Sequence, residues 1–464
     1  MTDIEKEENK SLIPSRKYEI DLYSDTLIRR GLELAENLSV KVFVQPDQSD
    51  RIVSVAFSPD NRFILSGDCH KVKLWDVSSG KLIKTLIRDK YDEDQEPWAG
   101  FDRFVCFSTD GQYFLSTGYS AGQWTVKIGK LPSGKIIRSI NRGATTASFL
   151  PGSPSVLMVT HYNILELWNF KTGISEKFED SDDRLGLYKL YDDGRRYYKR
   201  STGIFSSMVI TTDGQSAVAV VDQNAYTGST EHELDLEEDI DSFCDSVEWD
   251  LDESCYIMLW DINTGHIAKT FDVPNSSYCI SADGGCALSW KWDAPEEGDN
   301  LFTLWDIQTG HKIKSFGSAR SGDCYKAAIT PDGKYALSES GSDPNFTMLI
   351  LWDVETGDEI WSLESTTLQI NSITISPNGK CALLVCSDNT LKILSIPDGK
   401  EIATMYSFAD DEWVTIKPDG YYNCSADGEQ YIKVRINNKV QSIKNFKLKY
   451  YRPDLVKKAL SVVM

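Results

Sequence analysis

The sequence is short of the groups that most enzymes work with. Only five histidines occur in 464 residues: His70, His161, His232, His266 and His311. None belongs to an HExxH pair, and no CxxC, GxSxG or phosphate-cradling glycine motif is present. These absences remove the usual metal-hydrolase, serine-hydrolase and nucleotide-binding readings. Several of the ten cysteines recur at equivalent positions of different segments, as Cys106 and Cys279 do, or Cys286 and Cys381. That pattern reads as small buried apolar residues in a reducing compartment, not as a disulfide framework. No apolar run approaches the roughly 20 residues of a membrane span. Met1 to Lys10 is too acidic and polar for a signal peptide, so the cytoplasm is the expected location.

Positive charge is scarce as well. The chain holds 49 Lys and Arg against 70 Asp and Glu, a net charge of −21. Such a surface repels nucleic-acid backbones and anionic membranes at long range. It favours neutral or basic proteins as partners, although acidity serves solubility equally well. Carboxylate pairs are so common that none singles itself out for acid–base work. The acidic run Asp235 to Asp239 lacks the spaced glycine of a Ca²⁺ loop. No cofactor is expected.

Repetition is what the sequence has in abundance. The clearest unit runs from Ile52 to Leu86: Val55-Ala56-Phe57-Ser58-Pro59-Asp60, then Phe63-Ile64-Leu65-Ser66, then Val72-Lys73-Leu74-Trp75-Asp76, then Gly80-Lys81-Leu82-Ile83. Its first turn returns at Asp110-Gly111, Asp213-Gly214, Asp283-Gly284, Asp332-Gly333, Asn378-Gly379 and Asp419-Gly420. The Trp-Asp ending returns at Trp168-Asn169, Trp260-Asp261, Trp305-Asp306 and Trp352-Asp353, each followed by a Thr-Gly turn. Alternating apolar residues make half-buried strands, and Asp-Gly supplies the positive φ of a tight turn. One unit cannot bury both faces alone, so units must stack, as a ring or as a solenoid.

These residues resemble the WD40 family over about residues 40 to 437. The resemblance implies an all-β fold, a closed WD40 β-propeller of four-stranded blades that binds proteins. Departures from the pattern are visible. The Gly-His dipeptide common before the first strand is missing, and Gly129 and Leu394 stand where Trp is usual. The family's His-Asp-Ser-Trp hydrogen-bond network is therefore expected to be weak, with sheet packing carrying more of the stability.

Seven four-strand units begin near Ile52, Arg103, Ala144, Ile204, Asn275, Cys324 and Leu368, and an eighth, shorter one begins at Glu412. Ser39 to Val44 reads as a lone strand, which in WD40 proteins commonly completes the last blade and removes an open edge. Eight blades are expected; seven plus a C-terminal appendage is the alternative. The expected organisation is an N-terminal extension with a short helix over 1–38, the propeller over 39–438 and a basic C-terminal tail over 439–464. The helix spans Ser24 to Asn37, and a last helix starts at Pro453. Glu412-Trp413 through Gly420-Tyr421-Tyr422, with Tyr451 to Leu455, resembles the C-terminal portion of bacterial WD40 proteins that occur with caspase-like peptidase domains. That likeness implies a prokaryotic signalling or defence setting and a caspase-like protease as a partner. No such domain fits in this chain.

Two function classes follow. One is a non-catalytic interaction scaffold or regulatory subunit. The other is a cofactor-binding propeller, since Gly357-Asp358-Glu359-Ile360-Trp361 resembles the repeats of quinone-cofactor dehydrogenases. The scaffold is preferred, because that segment occurs once rather than in every unit and quinone enzymes of this kind are usually exported. The long inserts, 87–102, 179–203, 222–255 and 291–300, gather at one end of the units and mark the expected binding face. Leu185 to Ser201 is read as an added hairpin around Asp192-Asp193-Gly194. No Lys or Arg occurs between Arg200 and Lys269. The candidate partner-binding residues are Trp98, Tyr188, Tyr191, Arg195, Arg196, Tyr197, Glu237, Glu238, Asp239, Phe243, Trp249 and Trp292. The expected partner is a protein with a basic or mixed surface, with no direct role for nucleic acid or membrane.

Overall fold

The computed structural model describes residues 40–45, 51–68, 70–88, 104–120, 123–160, 165–178, 189–190, 196–197, 204–222, 255–273, 277–281, 283–290, 300–317, 323–343, 346–365, 369–437 and 439–464. The N-terminal helix expected over Ser24 to Asn37 lies outside these residues.

A lone first strand, β1 (Val40–Val44), precedes the repeats. Antiparallel four-stranded sheets then follow in chain order. Sheet 1 holds β2 (Ile52–Phe57), β3 (Phe63–Asp68), β4 (Lys71–Asp76) and β5 (Lys81–Arg88). Sheet 2 holds β6 (Val105–Phe107), β7 (Tyr113–Ser120), β8 (Gln123–Lys130) and β9 (Lys135–Ile140). Sheet 3 holds β10 (Ala144–Phe149), β11 (Ser155–Thr160), β12 (Leu165–Asn169) and β13 (Ser175–Lys177). A two-stranded hairpin, β14 (Lys189–Leu190) with β15 (Arg196–Tyr197), pairs Lys189 with Tyr197 as the repeat of aromatic and basic residues around Asp192-Asp193-Gly194 leads one to expect. Sheet 4 holds β16 (Ile204–Ile210), β17 (Ser216–Asp222), β18 (Cys255–Asp261) and β19 (His266–Val273). Sheet 5 holds β20 (Ser277–Ile280), β21 (Cys286–Trp290), β22 (Phe302–Asp306) and β23 (Lys312–Phe316). Sheet 6 holds β24 (Asp323–Ile329), β25 (Tyr335–Asp343), β26 (Phe346–Asp353) and β27 (Glu359–Ser365).

Sheet 7 departs from this count. After β28 (Ile370–Ile375), β29 (Cys381–Cys386), β30 (Leu391–Ser395) and β31 (Glu401–Ser407) it continues outward into β32 (Trp413–Ile416) and β33 (Tyr422–Cys424), six strands in all. The eighth unit read from the sequence is thus not a four-stranded sheet of its own. Its first two strands lengthen sheet 7. Its third, β34 (Ile432–Ile436), pairs with β1 on one side and β35 (Lys439–Ser442) on the other. The register Val40 to Ile436 and Val44 to Ile432 bears out the expected pairing of the N-terminal strand with the last strand of the repeats. β1, β32, β33 and β34 share a small core of Val44, Val414, Ile416, Tyr422, Ile432 and Val434.

The first strand of each four-stranded sheet touches that of the next sheet, from β2 through β6, β10, β16, β20 and β24 to β28. β28 in turn touches β2. One core cluster joins Ile52, Phe57, Ile64 and Trp75 of sheet 1 to Leu383, Val385, Ile393 and Met405 of sheet 7. The residues 439–464 are not a loose tail. β35 leads into two short helices, α1 (Lys447–Tyr450) and α2 (Pro453–Leu460), with Pro453 at the helix start, where its missing N–H costs nothing. Val456 and Leu460 of α2, with Val463, are fully buried in the same cluster as sheets 1 and 7. No helix among the described residues is long and apolar enough to cross a membrane.

Local chemistry explains the repeat. In six of the sheets the Ser or Thr two residues before the turn's Asp or Asn donates its hydroxyl to it at 2.5–2.8 Å. The same hydroxyl accepts the backbone N–H five residues on, as Ser58 accepts from Phe63 at 2.8 Å. The turn is therefore capped by its own side chains. The residue after the Asp takes a left-handed φ, 66° at Gly111 and 57° at Asn61, which Gly and Asn tolerate best.

The Trp-Ser half of the family network survives where the sequence retains it, a correction to the expectation that the network is weak throughout. Trp75, Trp305 and Trp352 donate Nε1 to Ser66, Ser289 and Ser338 at 2.9, 2.8 and 2.9 Å. Each serine lies two residues beyond the partner of its Trp in the register. In sheet 4 that position is Ala219, and the buried Trp260 Nε1 has no hydrogen-bond partner among the described residues. In sheet 2, Gly129 stands for the Trp and the Phe114 ring fills the space, so close that a Cβ on Gly129 would lie 2.2 Å from it.

Candidate interaction face

Alternating antiparallel strands divide the connections between two ends of each sheet. The first-to-second and third-to-fourth turns lie at one end. The second-to-third loops and the crossings to the next sheet lie at the other. The turn end is short and self-capped. In the Trp-Asp turns, Asp76 Oδ2 accepts the Ser79 N–H at 3.0 Å, Asp306 Oδ1 the Thr309 N–H at 2.6 Å, and Asp353 Oδ1 the Thr356 N–H at 2.8 Å. These bonds favour the ionised acid, so the Asp306 carboxyl is held below the usual carboxylate range, chiefly by the Thr309 N–H.

The turn end also locks five of the sheets to the next. The residue four positions after the turn glycine reaches a carbonyl of the following sheet's turn. Lys84 donates to Ser133 O at 2.7 Å, Arg138 to Phe170 O at 2.8 Å and Lys171 O at 2.9 Å, and Lys269 to Gln308 O at 2.6 Å. Lys314 donates to Glu355 O, and Trp361 to Ile396 O at 2.8 Å. The segment Gly357 to Trp361, which resembles a quinone-enzyme repeat, is occupied with this work: Gly357 is the left-handed turn residue with φ 84° and Trp361 is the lock.

The other end carries every long connection. Its described rim holds charge that sheet interiors rarely keep. Two residues before the Trp-Asp position, four sheets place a charged side chain: Lys73, Lys127, Glu166 and Lys392. Lys73 is 5% exposed. Its Nζ donates to Ser407 Oγ of sheet 7 at 3.0 Å and lies 3.9 Å from Asp68 Oδ2. Asp68 Oδ1 in turn accepts the His70 and Lys71 N–H groups at 2.8 and 2.6 Å, closing the loop between β3 and β4. Glu166, 1% exposed, is paired with Arg142 on the crossing from sheet 2 to sheet 3. Lys392 pairs with Glu401 at 3.0 Å, and Arg88 pairs with Asp411 across the sheet 1–sheet 7 seam. Buried charges persist only when paired, and Lys73, Glu166 and Lys392 are each held by a neighbour. Composition and motif gave no sign of this set; the aligned repeats do show it as a charged residue at a strand position that is otherwise Met, Thr or Ile.

Most of the candidate residues read from the sequence fall outside the described residues: Trp98, Tyr188, Tyr191, Arg195, Glu237, Glu238, Asp239, Phe243, Trp249 and Trp292. Arg196 and Tyr197 are described through the backbone of β15 alone. What the structure does give is their anchor points. The connection 89–103 leaves the end of β5, 223–254 joins β17 to β18, and 291–299 joins β21 to β22. All three open on the end opposite the capped turns.

The described residues offer little for covalent chemistry. No group of three or more His, Cys, Asp and Glu that could hold a metal ion occurs among them. Burial pushes the Cys106, Cys279, Cys381, Cys386 and Cys424 thiols up to about 12, and Cys324 is raised by the same desolvation. At neutral pH these are packing groups, not nucleophiles.

A family model described as "WD domain, G-beta repeat" matches residues 39–76 and 357–395. Each match spans one outer strand and the three strands that follow it. No curated protein matches the chain. Among solved structures, the chain is similar to the β-propeller domain of Cps50 (Swd1) from Myceliophteria thermophila, at a TM-score of 0.54 and 14% identity. The likeness covers 76% of this chain and 100% of that one.

Proposed function

We propose that this chain, which carries WD40 repeats and folds as a β-propeller, is a protein-interaction scaffold or regulatory subunit without catalysis of its own. The observation that carries the reading is the division between its two ends. Capped turns and inter-sheet locks use up the polar groups of one end. The long connections, with their aromatic and acidic residues, all open on the other. Loops on a rigid scaffold are the usual place for recognition.

The succession of contacts from β2 round to β28 and back supports a seven-membered ring, with the eighth unit outside it. The binding face centres on the third to fifth sheets. Its most polarised part is the insert between β17 and β18, where Phe243 and Trp249 stand among acids. A partner with a basic or mixed surface fits this composition, and charge steering makes its association fall with salt. A finer reading, partnership with a caspase-like protease in a prokaryotic signalling or defence system, rests on the resemblance of Glu412 to Tyr422 and Tyr451 to Leu455. Co-purification from the native host tests that reading.

The main test replaces residues 229–252 by a Gly-Ser linker of the same length. With an unchanged melting curve, capture of native partners should drop at least tenfold and lose its salt dependence. Full retention of every partner removes the insert from the binding face.

A further inference from the structure

The end of the chain reverses the charge of the whole. Residues 432–464 hold nine Lys and Arg against one acid, Asp454, in a protein of net charge −21. Two of these cations are neutralised locally. Lys447 pairs with Glu429 at 2.7 Å, and Arg452 holds Asp454 by two bonds of 2.8 and 2.6 Å. Lys439, Lys444 and Lys449 have no acid partner among the described residues, and Lys449 Nζ lies 5.4 Å over the Tyr450 ring.

Exposed apolar side chains lie along the same stretch of sequence. Leu448 on α1 is 78% exposed, and Val440 on the edge strand β35 is 53% exposed. Among the described residues β35 pairs with β34 alone, and it is exposed along its length. The segment is anchored, because its Ile443 and Tyr450 are buried in the core that β1, β32, β33 and β34 share. An exposed leucine on the same short segment as Lys444 and Lys449, which have no acid partner among the described residues, has the form of a docking anchor with a charged rim.

The complementary chemistry is in the same sequence. Residues 231–252 contain eleven Asp and Glu, no Lys or Arg, and two large aromatics, Phe243 and Trp249. They belong to sheet 4, which the succession of contacts places three sheets away from both sheet 1 and sheet 7. Contact within one copy has to bridge that separation from the anchors in β17 and β18, at the entropic cost of extending the connection. A second copy meets no such constraint. We propose that α1 and β35 form a docking surface for the acidic segment 231–252 of a second copy of this chain. The contact joins unlike surfaces, so it builds either a reciprocal pair or a longer assembly. It rests on the reading above in taking 231–252 as a binding segment, and adds the surface that receives it.

The experiment uses the full chain and two variants, Lys444→Glu/Lys449→Glu and the Gly-Ser replacement of 229–252, each checked for an unchanged melting curve. Sedimentation equilibrium should show wild-type self-association at about 50 mM salt, weakened at least tenfold at about 500 mM. Each variant alone should be monomeric. Mixed, they should form a 1:1 complex, because one keeps the acidic segment and the other keeps the basic surface. A labelled peptide of residues 229–252 should bind wild type and lose at least tenfold in affinity for the double variant. A monomeric wild type that ignores the peptide overturns the inference. So does equal association of the Lys444→Glu/Lys449→Glu variant, or tighter binding of a short DNA duplex than of the peptide. Capture of native partners through 229–252 without self-association overturns it too, and leaves the scaffold reading standing.

Discussion

The interface that joins sheet 7 to sheet 1 is built differently from the interfaces between sheets consecutive in sequence. In five of the six steps along the chain, a residue of the outer strand locks the next sheet's turn: Lys84, Arg138, Lys269, Lys314 and Trp361. At the step from sheet 3 to sheet 4 the equivalent residue is Lys177, which makes no such bond among the described residues. In sheet 7 the equivalent residue is Ala403, which has no donor. Residues from outside the repeat take over. Thr415 of β32 donates to Gly80 O at 2.6 Å, and Asn423 of β33 to Ser79 O at 3.0 Å. Lys73 bonds Ser407 at the opposite end, and α2 fills the apolar gap with Val456 and Leu460. A repeat passes its lock forward to the next repeat. Where there is no next repeat in sequence, a dedicated C-terminal segment is needed.

Loss of the apolar fill should weaken this seam most severely. Leu460→Ala removes a fully buried side chain shared by sheets 1 and 7. It should cost about 2–5 kcal/mol, read as a lowered denaturant midpoint. Truncation before Pro453 should do more and expose the seam to proteolysis between sheets 1 and 7. A melting curve unchanged by either would show that the seam does not depend on α2.

The polar locks should rank next. Thr415→Val leaves the Gly80 carbonyl without its side-chain donor in a buried site, a loss of about 1–2 kcal/mol. Lys84→Met removes an exposed donor and should cost under about 1 kcal/mol. Equal losses in chemical denaturation would mean that the seam lock and the repeat locks are energetically alike.

Sheets 1 and 4 sharpen the same contrast within the repeats. Ser66→Ala orphans the buried Trp75 Nε1 and should cost about 1–3 kcal/mol. Ala219→Ser places a hydroxyl where Trp260 has no partner among the described residues and should stabilise by about 1 kcal/mol. The two changes should thus move the melting temperature in opposite directions. A destabilising Ala219→Ser would mean that sheet 4 has no room for the hydroxyl.

The smallest effect concerns Glu339 in β25, buried beside Ile370. Burial raises its carboxyl above the usual range, against the opposing pull of the Ile370 N–H at 2.9 Å and Lys326 at 3.6 Å. A folded-state value above the unfolded one means that the folded protein binds the proton more tightly. Stability from this group therefore rises as pH falls from the raised value toward the ordinary one, and its ionised form is a cost at neutral pH. Glu339→Gln should give a small gain in melting temperature near pH 8 that shrinks as pH approaches 5. A gain that grows with acidity would reverse this assignment.

Much of the fold is legible in one dimension because the physics is local. The Ser/Thr-x-Asp-Gly turns carry their own caps, and the Trp-Asp endings set a register that puts Trp75 opposite Ile64 and beside Ser66. Strand boundaries, seven repeating sheets and the meeting of β1 with the last strand near Ile436 all follow from such signals. The candidate face was legible only as a set of long connections at one end. The charged residues that line its described rim are ordinary in composition and acquire meaning from their burial.

The sequence by itself determined the unit: four alternating strands, two capped turns, and an aromatic to fill the space between sheets, all drawn from residues close together along the chain. Tertiary structure alone decided how the last unit is used. Glu412 to Ile436 has the turns and alternation of another repeat. Yet β28 already packs on β2, so β32 and β33 run outward from β31 and β34 turns away to meet β1. It also decided that Val456 and Leu460, on a helix that looks like part of a basic tail, belong to the core between sheets 1 and 7. Contacts between residues hundreds of positions apart depend on which surfaces remain unburied once the sheets have stacked. No local pattern encodes that remainder, because it is a property of the packed whole.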